Sequence, residues 1–312
     1  WFKFIKFMSK KIVFMGTPDF SIETLKILSQ SKYDLACVYT QPEKKSSRGQ
    51  KLKMTPVHIL AKKLGIVVRT PKILDDIEFE YLNSLSPYIV IVVAYGKIIP
   101  KKFLQIPFKG FINIHASLLP RWRGAAPMQR AIMNLDKETG ISIMKIEEGL
   151  DTGPFMKQVK ISIDEQTNSK ELHDKLSKLG ADNILNSIDI IINNNAKFIE
   201  QNNNNATYAK KVLKGESKIL WTDSAEAILA KINALNPSPG AWFDYKGVRH
   251  KIWKAKISNL SGEPGNILNE KLTIACHNKS IEITEIQKEG RSKLSKEDFL
   301  AGSKINKGIK LF

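Results

Sequence analysis

The stretch NIHASLLPRWRGAAP, residues 113–127, puts Asn113 and His115 at the end of an apolar run. In a strand, alternate side chains project to one face, so the two groups converge on one small volume. A carboxamide can donate to an oxygen that gains charge, and an imidazole can move a proton near neutral pH. A histidine after a strand is most often structural. This chain has histidines at 58, 115, 173, 250 and 277, and among these only His115 stands beside an amide and ahead of Ser117 and Pro120.

An imidazole that handles protons needs a third group to orient it. EEGLDTGPF, residues 147–155, supplies Asp151 between Gly149 and Gly153, in a loop able to reach a neighbouring strand end. Glu147 and Glu148 read as solvated charge, because no glycines frame them. The RWR triplet stays open. Arg121, Trp122 and Arg123 either face a substrate, or the tryptophan packs while the arginines pair with acids.

These residues must be held by strands and helices. KIVFM (11–15), DLACVYT (34–40), IVV (66–68), YIVIVVA (88–94) and FINIH (111–115) read as strands. ISIMKIE (141–147) and FMKQVKI (155–161) follow them. Helical spacing covers 21–30, 57–65 and 170–194. Runs apolar on both faces suit a parallel sheet covered by helices. The alternation predicts a doubly wound, mostly parallel, Rossmann-like α/β sheet, with ligands outside the carboxyl ends of its strands. Its first turn, GTPDF (16–20), lacks the glycines that admit a pyrophosphate, which disfavours a nicotinamide oxidoreductase.

Residues 193–206 are polar and Asn-rich and read as a linker between a catalytic domain, 8–192, and a second domain, 207–312. The second domain opens with a helical pattern at 224–235. The runs AWFDY, HKIWKAKI, KLTIAC and SIEITEIQ then predict a smaller C-terminal β-barrel of OB type.

The chain of 312 residues carries 49 Lys and Arg against 31 Asp and Glu, a formal net charge of +18. Such a balance points to an anionic partner, nucleic acid first, although a Lys-rich proteome gives the same number. Residues 206–312 hold 19 Lys and Arg against 11 Asp and Glu, so basicity is shared by both domains and is not confined to a tail. Two distant cysteines, Cys37 and Cys276, fit no disulfide framework or zinc site and suit a reducing cytoplasm. No apolar run approaches the length of a membrane span. The start, WFKFIKFMSKK, lacks the features of a signal peptide, and Met8 is the expected natural start, with residues 1–7 an upstream extension. No coiled-coil heptads are visible, and a monomer is expected.

NIHASLLPRWRGAAP and GLDTGPF together resemble the formyltransferases that use 10-formyltetrahydrofolate. FMGTPDFS, TQPEKKSSRGQKLKMTPV and VVAYGKIIP are similar to the branch that acts on methionyl-tRNA. The resemblance runs from about residue 11 to the C-terminus, and beyond 155 it is mainly one of layout, clearest in DSAEAILAKINALNPSPGAWF.

This resemblance implies formyl transfer to methionyl-initiator tRNA for translation initiation, with 10-formyltetrahydrofolate as co-substrate and no tightly bound cofactor or metal. Asn113 would hold the formyl oxygen, His115 would handle protons, and Asp151 would orient and tune His115. Ser117, Leu118, Leu119 and Pro120 would line the folate pocket. The loop 41–53 would meet the acceptor stem, with Arg48 in the position of the family's important arginine. Lys51, Lys53, Lys210 and Lys211 complete the expected tRNA contacts. Two alternatives stay in view. One is a formyltransferase acting on a purine precursor or an amino sugar nucleotide. The other is a non-catalytic RNA-binding protein on an enzyme scaffold.

Overall fold

The computed structural model describes residues 10–46, 51–303, 305 and 307–311. The expected extension 1–7, the start at Met8 and the expected tRNA contact Arg48 lie outside the described residues.

The chain begins with β1 (Lys11–Gly16), α1 (Ile22–Ser29) and β2 (Asp34–Tyr39). A hairpin of β3 (Lys44–Ser46) and β4 (Lys51–Lys53) leads to α2 (Pro56–Lys63) and β5 (Val68–Arg69). Next come α3 (Asp76–Leu85), β6 (Ile89–Val93) and β7 (Phe111–His115). Short β8 (Arg123–Gly124) and α4 (Pro127–Met133) precede β9 (Glu138–Lys145), β10 (Phe155–Ser162) and α5 (Ser169–Ile192). Then follow β11 (Tyr208–Ala209), α6 (Ala225–Ala234), β12 (Ala241–Tyr245) and β13 (Val248–Ser258). The chain closes with β14 (Ile267–Asn269), β15 (Thr273–Ala275), β16 (Ser280–Lys288), β17 (Leu294–Ser295) and α7 (Lys296–Ala301).

Two compact units result. The first comprises the chain up to Arg123, Gly140–Lys160 and Asp174–Thr207; the second comprises Gly124–Thr139, Ile161–His173 and the chain from Tyr208 on. The Asn-rich segment expected as a linker is thus part of the first unit. Gln201 there is buried, and Ile199 bridges to Phe155.

The first unit is built on a seven-stranded sheet of order β10-β9-β7-β6-β1-β2-β5. From β7 to β5 every pair is parallel, and β9 runs antiparallel to β7. Ile12 to Met15 of β1 and Ile89 to Val93 of β6 are buried along their whole length, as strands covered on both faces must be. The strand order reverses at β1, whose neighbours are β2 on one side and β6 on the other. Carboxyl ends at such a reversal leave an open crevice. Helix α5 packs on the site strand at one tight point. A β-carbon on Gly180 would come within 2.9 Å of Ile114 Cγ2, so glycine lets the helix close on β7.

The antiparallel pair β3–β4 and helix α3 go beyond the sequence expectations. Asp75 caps α3 by accepting from the Glu78 backbone N–H at 3.1 Å, a common helix start.

The second unit is a six-stranded antiparallel sheet, β12-β13-β16-β15-β14, with β17 on β16. Its inner face packs Phe243, Ile252, Ile274, Ile283 and Ile286 against Ile228 and Ile232 of α6. Each such aliphatic side chain removed from water stabilises by about 1.5–3 kcal/mol. His250 is part of this core, stacked on Phe243 with centroids 5.4 Å apart. Burial pushes its imidazole below the ordinary histidine value. Among the described residues no helix is long and apolar enough to cross a membrane.

Candidate active site

Asn113 and His115 occupy alternate positions at the carboxyl end of β7, as their spacing predicts. Asn113 lies between Val92 of β6 and Met144 of β9, and His115 is paired with Ser142 of β9. His115 is 6% exposed, whereas Asn113 is half-buried.

The imidazole is held on both sides. Nδ1 stands 3.5 Å from Asp151 Oδ2, and Nε2 stands 2.9 Å from the carbonyl oxygen of Trp122. Both facing oxygens accept, so a proton on either ring nitrogen finds a partner. The two residues that touch the ring share a backbone feature. Trp122 has φ 62° and Asp151 has φ 52°, both in the left-handed region that ordinary residues avoid. Conformations of this kind cost about 1–3 kcal/mol each and persist only where the surroundings impose them.

The Asp151 turn is shaped by close approach. A β-carbon on Gly153 would lie 2.2 Å from the Lys145 carbonyl oxygen, and the Lys145 N–H donates to Pro154 at 2.9 Å. Only glycine lets the loop pass that strand end. This is the physical content of the glycine frame around Asp151.

The loop after β7 is tied by side chains from β9 and β10. Ser142 Oγ donates to the Ser117 carbonyl at 2.7 Å and accepts from Leu119 N–H at 3.0 Å. Gln158 Nε2 donates to Ser142 Oγ at 2.9 Å and to the Leu119 carbonyl at 2.7 Å. The Leu119–Pro120 peptide bond is cis. Ser117 and Leu119 are buried, with the Ser117 hydroxyl donating to the Arg121 carbonyl at 2.6 Å. Leu118 and Pro120 are partly exposed. Of the four residues expected to line a folate pocket, therefore, two are buried and two are partly exposed.

The RWR triplet divides. Arg121 is exposed and lies over the Trp122 ring at 4.9 Å, while Arg123 is 2% exposed. Among the described residues Arg123 pairs with no acid. It donates to Gln201 Oε1 from Nε at 3.0 Å and from Nη2 at 2.8 Å, and from Nη2 to Asn203 Oδ1 at 2.8 Å. Sequence reasoning missed Gln201 altogether, because it sits in the presumed linker.

The other expected site residues are scattered. Lys53 is exposed on β4, and Lys51 pairs with Ser46 in the hairpin ladder. In the second unit Lys210 and Lys211 are exposed, and Arg130 holds their backbone through bonds to the Lys210 carbonyl at 3.0 Å and the Lys211 carbonyl at 3.4 Å. Arg130 also grips Glu216 with two bonds, Nη1 to Oε2 at 2.6 Å and Nη2 to Oε1 at 3.0 Å. That grip, with the Leu213 N–H, lowers the Glu216 carboxyl to about 2.

Comparison with known proteins gives this geometry a family. Residues 10–188 match the formyl transferase family, and residues 211–304 match the formyl transferase C-terminal domain. The chain belongs to the formyl transferase family. Relatives of this formyl transferase include the methionyl-tRNA formyltransferase of Pelagibacter ubique, 51% identical over 97% of this chain and 99% of the relative. That of Bradyrhizobium diazoefficiens is 41% identical over 97% of this chain and 99% of its own. Among solved structures, an N-formyltransferase from Helicobacter canadensis in complex with folinic acid and dTDP-3-aminofucose shares the fold, with TM-score 0.69 at 20% identity. It aligns over 90% of this formyl transferase and 100% of that chain.

Proposed function

We propose that this formyl transferase moves the formyl group of 10-formyltetrahydrofolate to the α-amine of methionine carried by initiator tRNA. The observation that carries this reading is the 51% identity to a methionyl-tRNA formyltransferase over nearly the full length of both chains.

The chemistry assigns a task to each residue at the end of β7. A carbon–nitrogen bond forms between the amine and the formyl carbon, and the bond from that carbon to N10 breaks. In between, negative charge collects on the formyl oxygen. The Asn113 carboxamide donates to that oxygen. His115 takes the proton the attacking amine must lose and returns one to the departing N10, through Nε2 once that nitrogen turns from the Trp122 carbonyl to the substrate. Asp151 fixes the imidazole and offsets its charge while the proton is on it. Ser117–Pro120 meet the folate, with the partly exposed Leu118 and Pro120 as its wall and the buried Ser117 and Leu119 held in place by Ser142 and Gln158.

The tRNA is met by cations from both units: Arg48, Lys51 and Lys53 in the first, Lys210 and Lys211 in the second. Contacts of this kind neutralise phosphates, so they set affinity and carry little sequence information. Specificity for the initiator is expected at the end of the acceptor stem, where bases are most easily splayed.

The test is to supply the formyl donor with methionyl-tRNA in one reaction and an amino sugar nucleotide in another. Formylation of the tRNA is the expected result. Formylation of the sugar amine with none on methionyl-tRNA would overturn the proposal.

A further inference from the structure

The two contacts to His115 belong to one closed circuit. Asp151 touches Nδ1, and its backbone carbonyl accepts from Gln201 Nε2 at 2.9 Å. The same Gln201 nitrogen donates to the Gly153 carbonyl at 2.7 Å. Gln201 Oε1 in turn takes two bonds from Arg123. Arg123 is bonded in sequence to Trp122, whose carbonyl faces His115 Nε2. Thr207 completes the support. Its hydroxyl accepts from the Trp122 N–H at 2.9 Å, and its carbonyl accepts from the Arg123 N–H at 2.8 Å.

Two physical features set this circuit apart from ordinary packing. First, it places a guanidinium, always charged, at 2% exposure with the neutral carboxamide oxygens of Gln201 and Asn203 as acceptors. Burying a cation in this way is costly, and a hydrocarbon would fill the space at less cost. Secondly, the circuit grips the two left-handed residues, Trp122 and Asp151, that meet the imidazole. Both grips come from the segment 201–207.

We propose that Arg123, Gln201 and Thr207 are positioning residues, which hold the Trp122 carbonyl and the Asp151 turn on opposite sides of His115. The proposal rests on the catalytic reading of His115 and Asp151 given above. None of the three touches the imidazole. They act through Trp122 and Asp151, and a ring displaced by a fraction of an ångström no longer meets the reacting nitrogen.

Gln201→Glu separates positioning from folding. A glutamate keeps the acceptor for Arg123 and turns the contact into an ion pair, but it removes the N–H donors to the Asp151 and Gly153 carbonyls. Thr207→Val does the same for the Trp122 side, keeping shape and losing the hydroxyl acceptor. In the full chain, with methionyl-tRNA and 10-formyltetrahydrofolate, each variant is expected to keep a wild-type thermal midpoint within a few degrees. Each should lose about tenfold or more in kcat, the scale of a small misplacement, with KM for the tRNA within about twofold.

A folded Gln201→Glu or Thr207→Val enzyme with wild-type kcat would overturn the proposal. If Gln201→Glu fails to fold, Thr207→Val alone decides. Asp151→Ala is assayed alongside. Wild-type kcat in Asp151→Ala would remove the catalytic reading itself, and with it this inference. Loss in Asp151→Ala with none in the other two would remove the inference alone.

Discussion

His115 Nδ1 faces the Asp151 carboxylate at 3.5 Å, across two loops that leave neighbouring strands β7 and β9. Groups that work as a unit give non-additive losses, because the second removal takes away nothing the first has left intact. His115→Ala, Asp151→Ala and the double variant should therefore have similar turnover, each down by about 10²-fold or more, the usual worth of a placed acid–base group. Multiplying losses in the double variant would mean that the two residues act separately.

The proposed function gives Asn113 a different part, as a donor to an oxygen that is charged only during reaction. Replacing it by alanine removes one such donor, which lowers kcat by about 10²–10³-fold where the donor is aimed at the oxyanion. Single-turnover rates at saturating donor are the measurement. A loss confined to KM, with kcat intact, would assign Asn113 to ground-state binding instead.

Glu216 supplies a pH signature in the second unit. Its carboxyl is held near 2 by the Arg130 guanidinium and the Leu213 N–H, against an ordinary value of 4.5. The folded state thus binds this proton less readily than the unfolded state. The stabilisation is complete above pH 4.5 and disappears as pH falls through about 2. Glu216→Gln should lower the thermal midpoint at pH 7, and the gap to wild type should close across that acid range. A gap independent of pH would contradict the ion-pair assignment.

The proposed tRNA contacts are tested by salt. Each phosphate neutralised adds about 0.7–0.9 to the slope of log affinity against log salt. Lys210→Ala and Lys211→Ala should each flatten that slope and weaken binding for any tRNA sequence, with kcat at saturating tRNA unchanged. Arg48→Ala should lower the rate at limiting tRNA. An unchanged rate across the tRNA range would leave the loop 41–53 as solvated charge.

Much of this site was legible in the sequence, for local reasons. The alternation in FINIH predicts a strand with Asn113 and His115 on one face, and that is how β7 presents them. The glycines around Asp151 predict a loop able to reach a neighbouring strand end, and the Gly153 approach to Lys145 shows where it does so. What was not legible depends on contacts between distant segments. Arg123 in RWR reads as facing a substrate or pairing with acids, and only the fold buries it against the carboxamide of Gln201. The Asn-rich segment reads as a linker because polar side chains look solvated until their partners are known. The paired strands β3 and β4 are rich in lysine and have no apolar alternation to announce them.

The most direct measurement is single-turnover formylation of methionyl-tRNA from 10-formyltetrahydrofolate, with wild type and His115→Ala side by side at saturating tRNA. Wild type is expected to form N-formylmethionyl-tRNA rapidly and the variant at a rate lower by about 10²-fold or more, with tRNA affinity unchanged. A His115→Ala enzyme that turns over at the wild-type rate would contradict it.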